Sequence, residues 1–373
     1  MNDIILYILM VFMGLGALDR VFGYKLGLGQ KFEEGFMAMG NLALSIIGIY
    51  SIAPLLSTSL EKIVGPVFSF LGADPAIFPA SILASDMGGY LSAIKMAENQ
   101  EIGLFAGLIL SSSLGTAVIF TIPIGAGLIQ KQDYPYFTKG ILAGLLTVPI
   151  SGFAGGISMG LPIGILVKNL LPIIFIALIL GIGLSKWPQK MITGFYWFSK
   201  SIVTLGTLGL VISIIQNVTG KIIITAMEPF EEGLKIVGSI SIILAGAYPM
   251  VLVMTNVFKK PLAKMGNALG ICDKATTALI MSLANNIPGF ANMHDMHERG
   301  KVMVSAFAVG GAFVLGGQLG FVAGIDKSML TPFIVSKVVG GVGSITIAYL
   351  ITKPNQKNIS NYEEEKILEL AIE

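Results

Sequence analysis

Phe32-Glu33-Glu34-Gly35 opens one long apolar run, and Phe230-Glu231-Glu232-Gly233 opens another. The match continues in register. Gly40 aligns with Gly238, Gly48 with Gly246 and Tyr50 with Tyr248, a constant offset of 198 residues across seven identities. A repeat of this kind decides the architecture before any local motif does. Weaker matches extend it: Ser85-Asp86-Met87-Gly88-Gly89-Tyr90 resembles Asn285-Asn286-Ile287-Pro288-Gly289-Phe290, and the segment 140–144 resembles 336–340. The chain therefore divides into a first repeat (1–160), a linker carrying one unpaired helix (161–197), a second repeat (198–352) and a polar C-terminal tail (353–373).

The composition identifies the medium. Charged residues make up 12% of the chain and hydrophobic residues 54%, with mean hydropathy +0.81. That charge content is about half the usual globular share, too little to cover a soluble exterior. Several uncharged runs, such as 35–60, 102–130 and 236–258, exceed the roughly 20 residues that cross a bilayer. The fold class is thus an all-α polytopic membrane protein. The net charge of +2 points to no nucleic-acid partner, and the single cysteine, Cys272, excludes an intrachain disulfide framework. The first apolar run lies between Asp3 and Asp19, without a basic start, and reads as a membrane helix rather than a signal peptide.

Loop charges orient the repeats. Arg20, Lys25 and Lys31 mark one basic connection; Lys186, Lys190 and Lys200 a second; Lys259, Lys260, Lys264 and Lys274 a third; Lys353 and Lys357 the C-terminal side. The positive-inside rule puts these in the cytoplasm. The N-terminus then lies outside and the C-terminus inside. The first helices of the two repeats run in opposite directions, and the linker helix (about 163–185) supplies the odd crossing this requires. Two inverted-topology repeats are expected, with about 9 to 13 crossings. Each repeat also holds one poor span, about 63–95 and about 265–292, broken by Pro66, Pro79, Asp86 and Gly88-Gly89 in the first and by Asn285-Asn286 and Pro288-Gly289 in the second. Helix breakers and polar groups at membrane depth are tolerated where they are buried or line a cavity, so discontinuous or re-entrant helices are expected there. In transporters built from inverted repeats, substrate sites lie on such breaks near the midplane.

These blocks resemble a known family. Gln30-Lys31-Phe32-Glu33-Glu34-Gly35-Phe36-Met37-Ala38-Met39-Gly40, Asp86-Met87-Gly88-Gly89, Gly246-Ala247-Tyr248-Pro249-Met250, Leu283-Ala284-Asn285-Asn286-Ile287-Pro288 and Arg299-Gly300-Lys301-Val302 are similar to the ethanolamine permeases of the ethanolamine-utilisation operon. The resemblance implies a bacterial cytoplasmic (inner) membrane protein whose substrate is ethanolamine, with no cofactor.

A site for an amino alcohol cation needs a carboxylate, aromatic faces and neutral partners for the hydroxyl. Aromatic rings attract desolvated ammonium groups by about 2 kcal/mol. Asp86, beside Gly88-Gly89, is the expected carboxylate; its alternative role is to cap a half-helix. Asn285 and Asn286 hold the matching place and both donate and accept, as they would in a purely structural network. Tyr50, Tyr248, Gln318 and Tyr90 are further candidates for the cavity wall. Glu33, Glu34, Glu231 and Glu232 lie at helix starts, where the dipole favours carboxylates, and are expected to be gate or helix-cap residues. Lys168 is expected to snorkel, and Lys337 to neutralise a buried carboxylate. His294 and His297 have a metal-like spacing but sit in a polar connection, so no metal is expected. Abundant small-residue patterns permit close helix packing and a homo-oligomer, most simply a dimer. The competing classes are a channel-like facilitator or carrier for another small amine, and an intramembrane enzyme, for which no Cys/His pair or metal cluster stands at depth.

Overall fold

The computed structural model describes residues 2–352 apart from Phe258; the expected polar tail, 353–373, lies outside the described residues. Helices α1 (Asn2–Val21) and α2 (Leu28–Phe70) come first. A broken hairpin follows, α3 (Ile77–Ile82) and α4 (Tyr90–Met96). A continuous rod then runs from α5 (Gln100–Leu104) to α6 (Ile122–Leu128), with wide π-helical turns over Phe105–Gly115 and Ala117–Thr121 between them. Helix α7 (Tyr134–Ser158) completes the first set, and α8 (Ile163–Lys186) occupies the linker. The same order of elements follows: α9 (Pro188–Thr219), α10 (Phe230–Val257) with α11 (Lys259–Leu269), the pair α12 (Asp273–Ser282) and α13 (Ile287–Ala291), then α14 (Glu298–Gly310), α15 (Gly317–Ile325) and α16 (Leu330–Ile351).

Eight helices among the described residues are long and apolar enough to cross a membrane. The central one is Gln100–Leu128, 94% buried, whereas Pro188–Thr219 is 28% buried and presents its apolar side chains outward. Four expectations need correction. Residues 302–325, an uncharged run long enough for one span, are not one continuous helix: the chain breaks at 311–316, where the N–H groups of Phe313 and Leu315 donate to the carbonyls of Ser282 and Leu283 instead of continuing α14. That break leaves α14 and α15 out of the eight continuous candidate spans among the described residues. Pro66 does not end α2, which carries both Pro54 and Pro66 within 43 residues; membrane helices tolerate proline where neighbours satisfy the freed groups. Lys259–Leu269 is helical rather than a loop. Helix α9 begins at Pro188, inside the segment assigned to the linker.

Glycines position the helices against one another. A Cβ on Gly48 would overlap the Gly206 carbonyl on α9, and one on Gly246 would overlap the Leu9 carbonyl on α1. These are matched contacts: the glycines are 198 residues apart and their partners 197. Gly35 abuts Ala245 and Gly233 abuts Ile47, so α2 and α10 run antiparallel. Likewise, a Cβ on Gly155 would lie 2.9 Å from that of Ser336, and one on Gly340 would lie 3.0 Å from that of Ser151, so α7 and α16 are antiparallel too. Between them Thr147 and Ser344, at equivalent places, share a 2.9 Å hydroxyl bond.

The hairpin ends are pinned by polar groups. Asp74 accepts from the N–H groups of Ala76, Glu98 and Asn99, and its own N–H donates to Asn169 at 2.8 Å. In the second set His297 accepts from the Gly300 N–H at 2.9 Å, and its other ring nitrogen lies 2.9 Å from the Gly270 carbonyl. His297 is thus structural, His294 lies exposed beside Asp295, and no group of metal-ligating residues exists among the described residues. Lys301 and Asp133 form a buried 2.6 Å ion pair between α14 and the start of α7. Lys301→Met strands the carboxylate and should lower stability by about 3–5 kcal/mol. Thermal denaturation in detergent checks this, with the Lys301→Met/Asp133→Leu double variant recovering most of the loss.

Candidate functional site

The first break has a defined cause. Leu83 and Ala84 are extended, and Gly88 takes φ 89°, the left-handed region open to glycine at low cost. The chain therefore turns out of helix at Ser85–Gly89 and presents Asp86, half-buried, beside the π-helical rod. The wide turns receive it: the Ser111 hydroxyl donates to the freed Leu83 carbonyl, and Gly115 leaves room for that same carbonyl.

The second break is met in a comparable way. Gly316 lies against the Ala284 carbonyl, and Phe313 and Leu315 bond the chain at 282–283. Phe313 holds φ 65° with its ring edge-on to Phe120 at 5.7 Å. A left-handed aromatic residue costs about 1–2 kcal/mol, and strain of this kind persists where the surroundings impose it.

Polar side chains converge on rod residues 111–116. Gln318 donates to Thr116 Oγ1 at 2.7 Å, and Thr116 donates to the Ser111 carbonyl at 3.0 Å. Lys337, 2% exposed on α16, donates to the Ser112 carbonyl and interacts electrostatically with Asp86. Asn286, 1% exposed, donates to the Ala308 carbonyl at 3.2 Å. Several buried acceptors here have no protein partner: Asn286 Oδ1, Gln318 Oε1, and the hydroxyls of Ser85, Ser113 and Ser336. Buried polar atoms are normally bonded, so this layer has unused capacity for a small polar guest.

The structure sorts the expected residues into groups. Asp86 and Gln318 meet the rod at this polar layer, which also brings in Lys337, whereas Asn286 is tied to α14. Tyr50 and Tyr90 instead line a cavity of about 650 Å³ together with Glu232 and Gly324. Tyr248 lies within electrostatic reach of Glu34, as Tyr50 does of Glu232. These two matched pairs lie at separate ends of the antiparallel contact, 16 residues apart along each helix and so about 24 Å apart. Asn285 is a local cap, accepting from the Ile287 N–H at 2.9 Å.

The helix-cap reading fails for Glu33 and Glu34. Helix α2 starts at Leu28, so they fall in its second turn; Asp19 serves the start by accepting from the N–H groups of Leu26 and Gly29, each at 2.8 Å. Glu33 instead accepts from Arg20 at 2.7 Å and Tyr24 at 2.6 Å, and Glu34 from Lys31. Glu231 and Glu232 do lie in the first turn of α10, bonded to Asn217 and Lys235. Lys168 is exposed, as snorkelling requires. Sequence reasoning missed the rod. The triplet Ser111-Ser112-Ser113 inside an apolar run was the available signal, as were the glycines flanking Phe313.

Long apolar helices enclosing a polar layer built on helix breaks are the architecture of a polytopic membrane transporter. The chain belongs to the family described as ethanolamine utilisation protein, EutH, whose model matches residues 1–351. It is 46% identical over 358 residues, 96% of each chain, to a protein of Listeria monocytogenes named probable ethanolamine permease EutH. It is 38% identical over 402 residues, 98% of each chain, to the Escherichia coli protein of the same name. A Bacillus subtilis relative, 45% identical over 96% of this chain and 98% of its own, carries the name uncharacterized protein YxeR. No solved structure matches the chain.

Proposed function

We propose that the protein is a secondary transporter or facilitator that imports ethanolamine across the bacterial cytoplasmic membrane, and is not an enzyme. The observation that carries this reading is full-length membership of a family whose named relatives are probable ethanolamine permeases. The polar layer supports it chemically. Asp86 offers a carboxylate to the ammonium end, and Gln318 and Asn286 offer free acceptors to the hydroxyl. In this reading the cavity at Tyr50 and Glu232 attracts the cation at one mouth, and Glu34, within electrostatic reach of Tyr248, attracts it at the other. Purified protein in vesicles should take up labelled ethanolamine well above protein-free vesicles; equal uptake in the two refutes the reading. Stimulation of uptake by preloaded ethanolamine distinguishes a carrier from a channel-like pore.

The two sets of helices act in this reading as inverted-topology repeats of residues 1–160 and 198–352. Antiparallel packing of the equivalent pairs α2/α10 and α7/α16 supports it. In a Cys272→Ser background, Glu34→Cys and Glu232→Cys should react with a membrane-impermeant maleimide from opposite faces. Labelling of both from one face would exclude inversion. The loop charges favour an N-terminus outside and a C-terminus inside.

A further inference from the structure

We propose that each ethanolammonium taken up is exchanged for one proton carried by Lys337, so that the transport cycle is electroneutral. The inference rests on Asp86 as the ammonium site. Lys337 is itself an alkylammonium on a tether, buried among α16, α7 and the rod. Its Nζ is held by the Ser112 carbonyl and lies 5.8 Å from the centre of the Phe333 ring. The neighbouring Ser111 hydroxyl holds the Leu83 carbonyl and sits against Gly89, so the lysine and the Asp86 segment occupy one turn of the rod. Asp86 is the charged group that interacts with Lys337. The other charges on elements packed against α16 stand elsewhere. Lys139, Glu298, Arg299 and Lys301 lie toward its far end, where Arg299 stacks on Tyr349 at 4.0 Å, and Lys327 lies in the turn before it. The π-helical turns of the rod and α15 contribute none, and the rod's Glu101 lies at its exposed start.

With the site empty, the Lys337 ammonium is the cation that balances Asp86, and the layer is neutral. A second ammonium arriving at Asp86 leaves Lys337 as an uncompensated buried charge, which is costly unless it loses its proton. The lysine gives that proton to water on the side to which the site is open. The loaded layer, carboxylate plus ethanolammonium plus neutral amine, is again neutral. After release inside, Lys337 takes a proton from the cytoplasmic side and returns with it. One cation moves in and one proton moves out.

Calorimetry of ethanolamine binding to the purified protein in phosphate and in HEPES, near neutral pH, reads the proton directly. Wild type should release about one proton per ethanolamine bound. Lys337→Met should bind with no proton release. Lys337→Arg retains a cation that does not lose its proton, and should bind at least tenfold more weakly with no release. In vesicles clamped with valinomycin, wild-type uptake should ignore an inside-negative potential, and Lys337→Met uptake should be driven by it. Wild-type binding without proton release, or potential-driven wild-type uptake, overturns the exchange. So does undiminished release in Lys337→Met, which would mean that the neutral amine binds. The wild-type measurements decide even where a variant fails to fold. Complete lack of ethanolamine binding and uptake instead sinks the transport reading itself.

Discussion

Asp86→Asn lowers ethanolamine uptake about 100-fold at low substrate while yield and monodispersity of the purified protein stay at wild-type levels. The substitution preserves shape and removes one negative charge. Removing one partner of a desolvated charge pair costs about 2–5 kcal/mol, and each 1.4 kcal/mol is about tenfold in affinity. Asp86 carries no fold-bearing hydrogen bond of the kind that Asp74 makes with Ala76, Glu98 and Asn99. The break at 83–89 is instead held by Gly88, by Gly89 and by the Ser111 hydroxyl. Initial rates of labelled uptake, with size-exclusion profiles as the folding check, measure the two effects separately. Wild-type uptake by Asp86→Asn would remove it from the site. Asp74→Asn, by contrast, should act on stability.

The second large effect is expected at Gly115. A Cβ there would overlap the Leu83 carbonyl oxygen and stand 2.8 Å from the carbonyl oxygen of Ala80. Both are backbone atoms, which cannot rotate away as a side-chain tip does. Gly115→Val therefore pushes the first break off the rod and parts Leu83 from Ser111. Overpacking of this kind costs about 3 kcal/mol, and the displaced break carries Asp86 with it. Uptake should fall to the level of protein-free vesicles, and the unfolding temperature in detergent should drop. Gly127→Val is the matched control, since nothing lies within 4 Å of its Cβ position in the same rod. Equal melting temperatures and equal uptake for the two variants would refute the close approach as a functional constraint.

The membrane setting, the helical class and the place of the first break were all legible in the chain, for identifiable reasons. Hydropathy is a property of composition, and a bilayer imposes a length on each apolar run. Gly88-Gly89 beside Asp86, and Asn285-Asn286 before Pro288, combine polar groups with residues that leave helix readily. The break at 311–316 was hidden, because its glycines are equally suited to close helix packing. The partner carbonyls of Ser282 and Leu283 that make it a break lie about 30 residues away in sequence. The rod's π-helical turns were hidden for the same kind of reason: apart from its serine triplet, Phe105–Gly115 is ordinary apolar sequence, and the Leu83 carbonyl that lies against Gly115 is about 30 residues away.

The duplicated Phe-Glu-Glu-Gly phrase shows the division of labour. By itself it predicts two equivalent halves, because a fixed offset across seven positions needs no coordinates. The tertiary structure decided what the phrase does. Its glycines, Gly35 and Gly233, let α2 and α10 pack closely and antiparallel, while Glu33 is tied to Arg20 and Tyr24, and Glu34 and Glu232 each reach toward a tyrosine on the other helix. The same holds for the site. Asp86, Ser112, Gln318 and Lys337 are separated by up to 251 residues, and only packing around one buried rod brings their charges and free acceptors into a single layer.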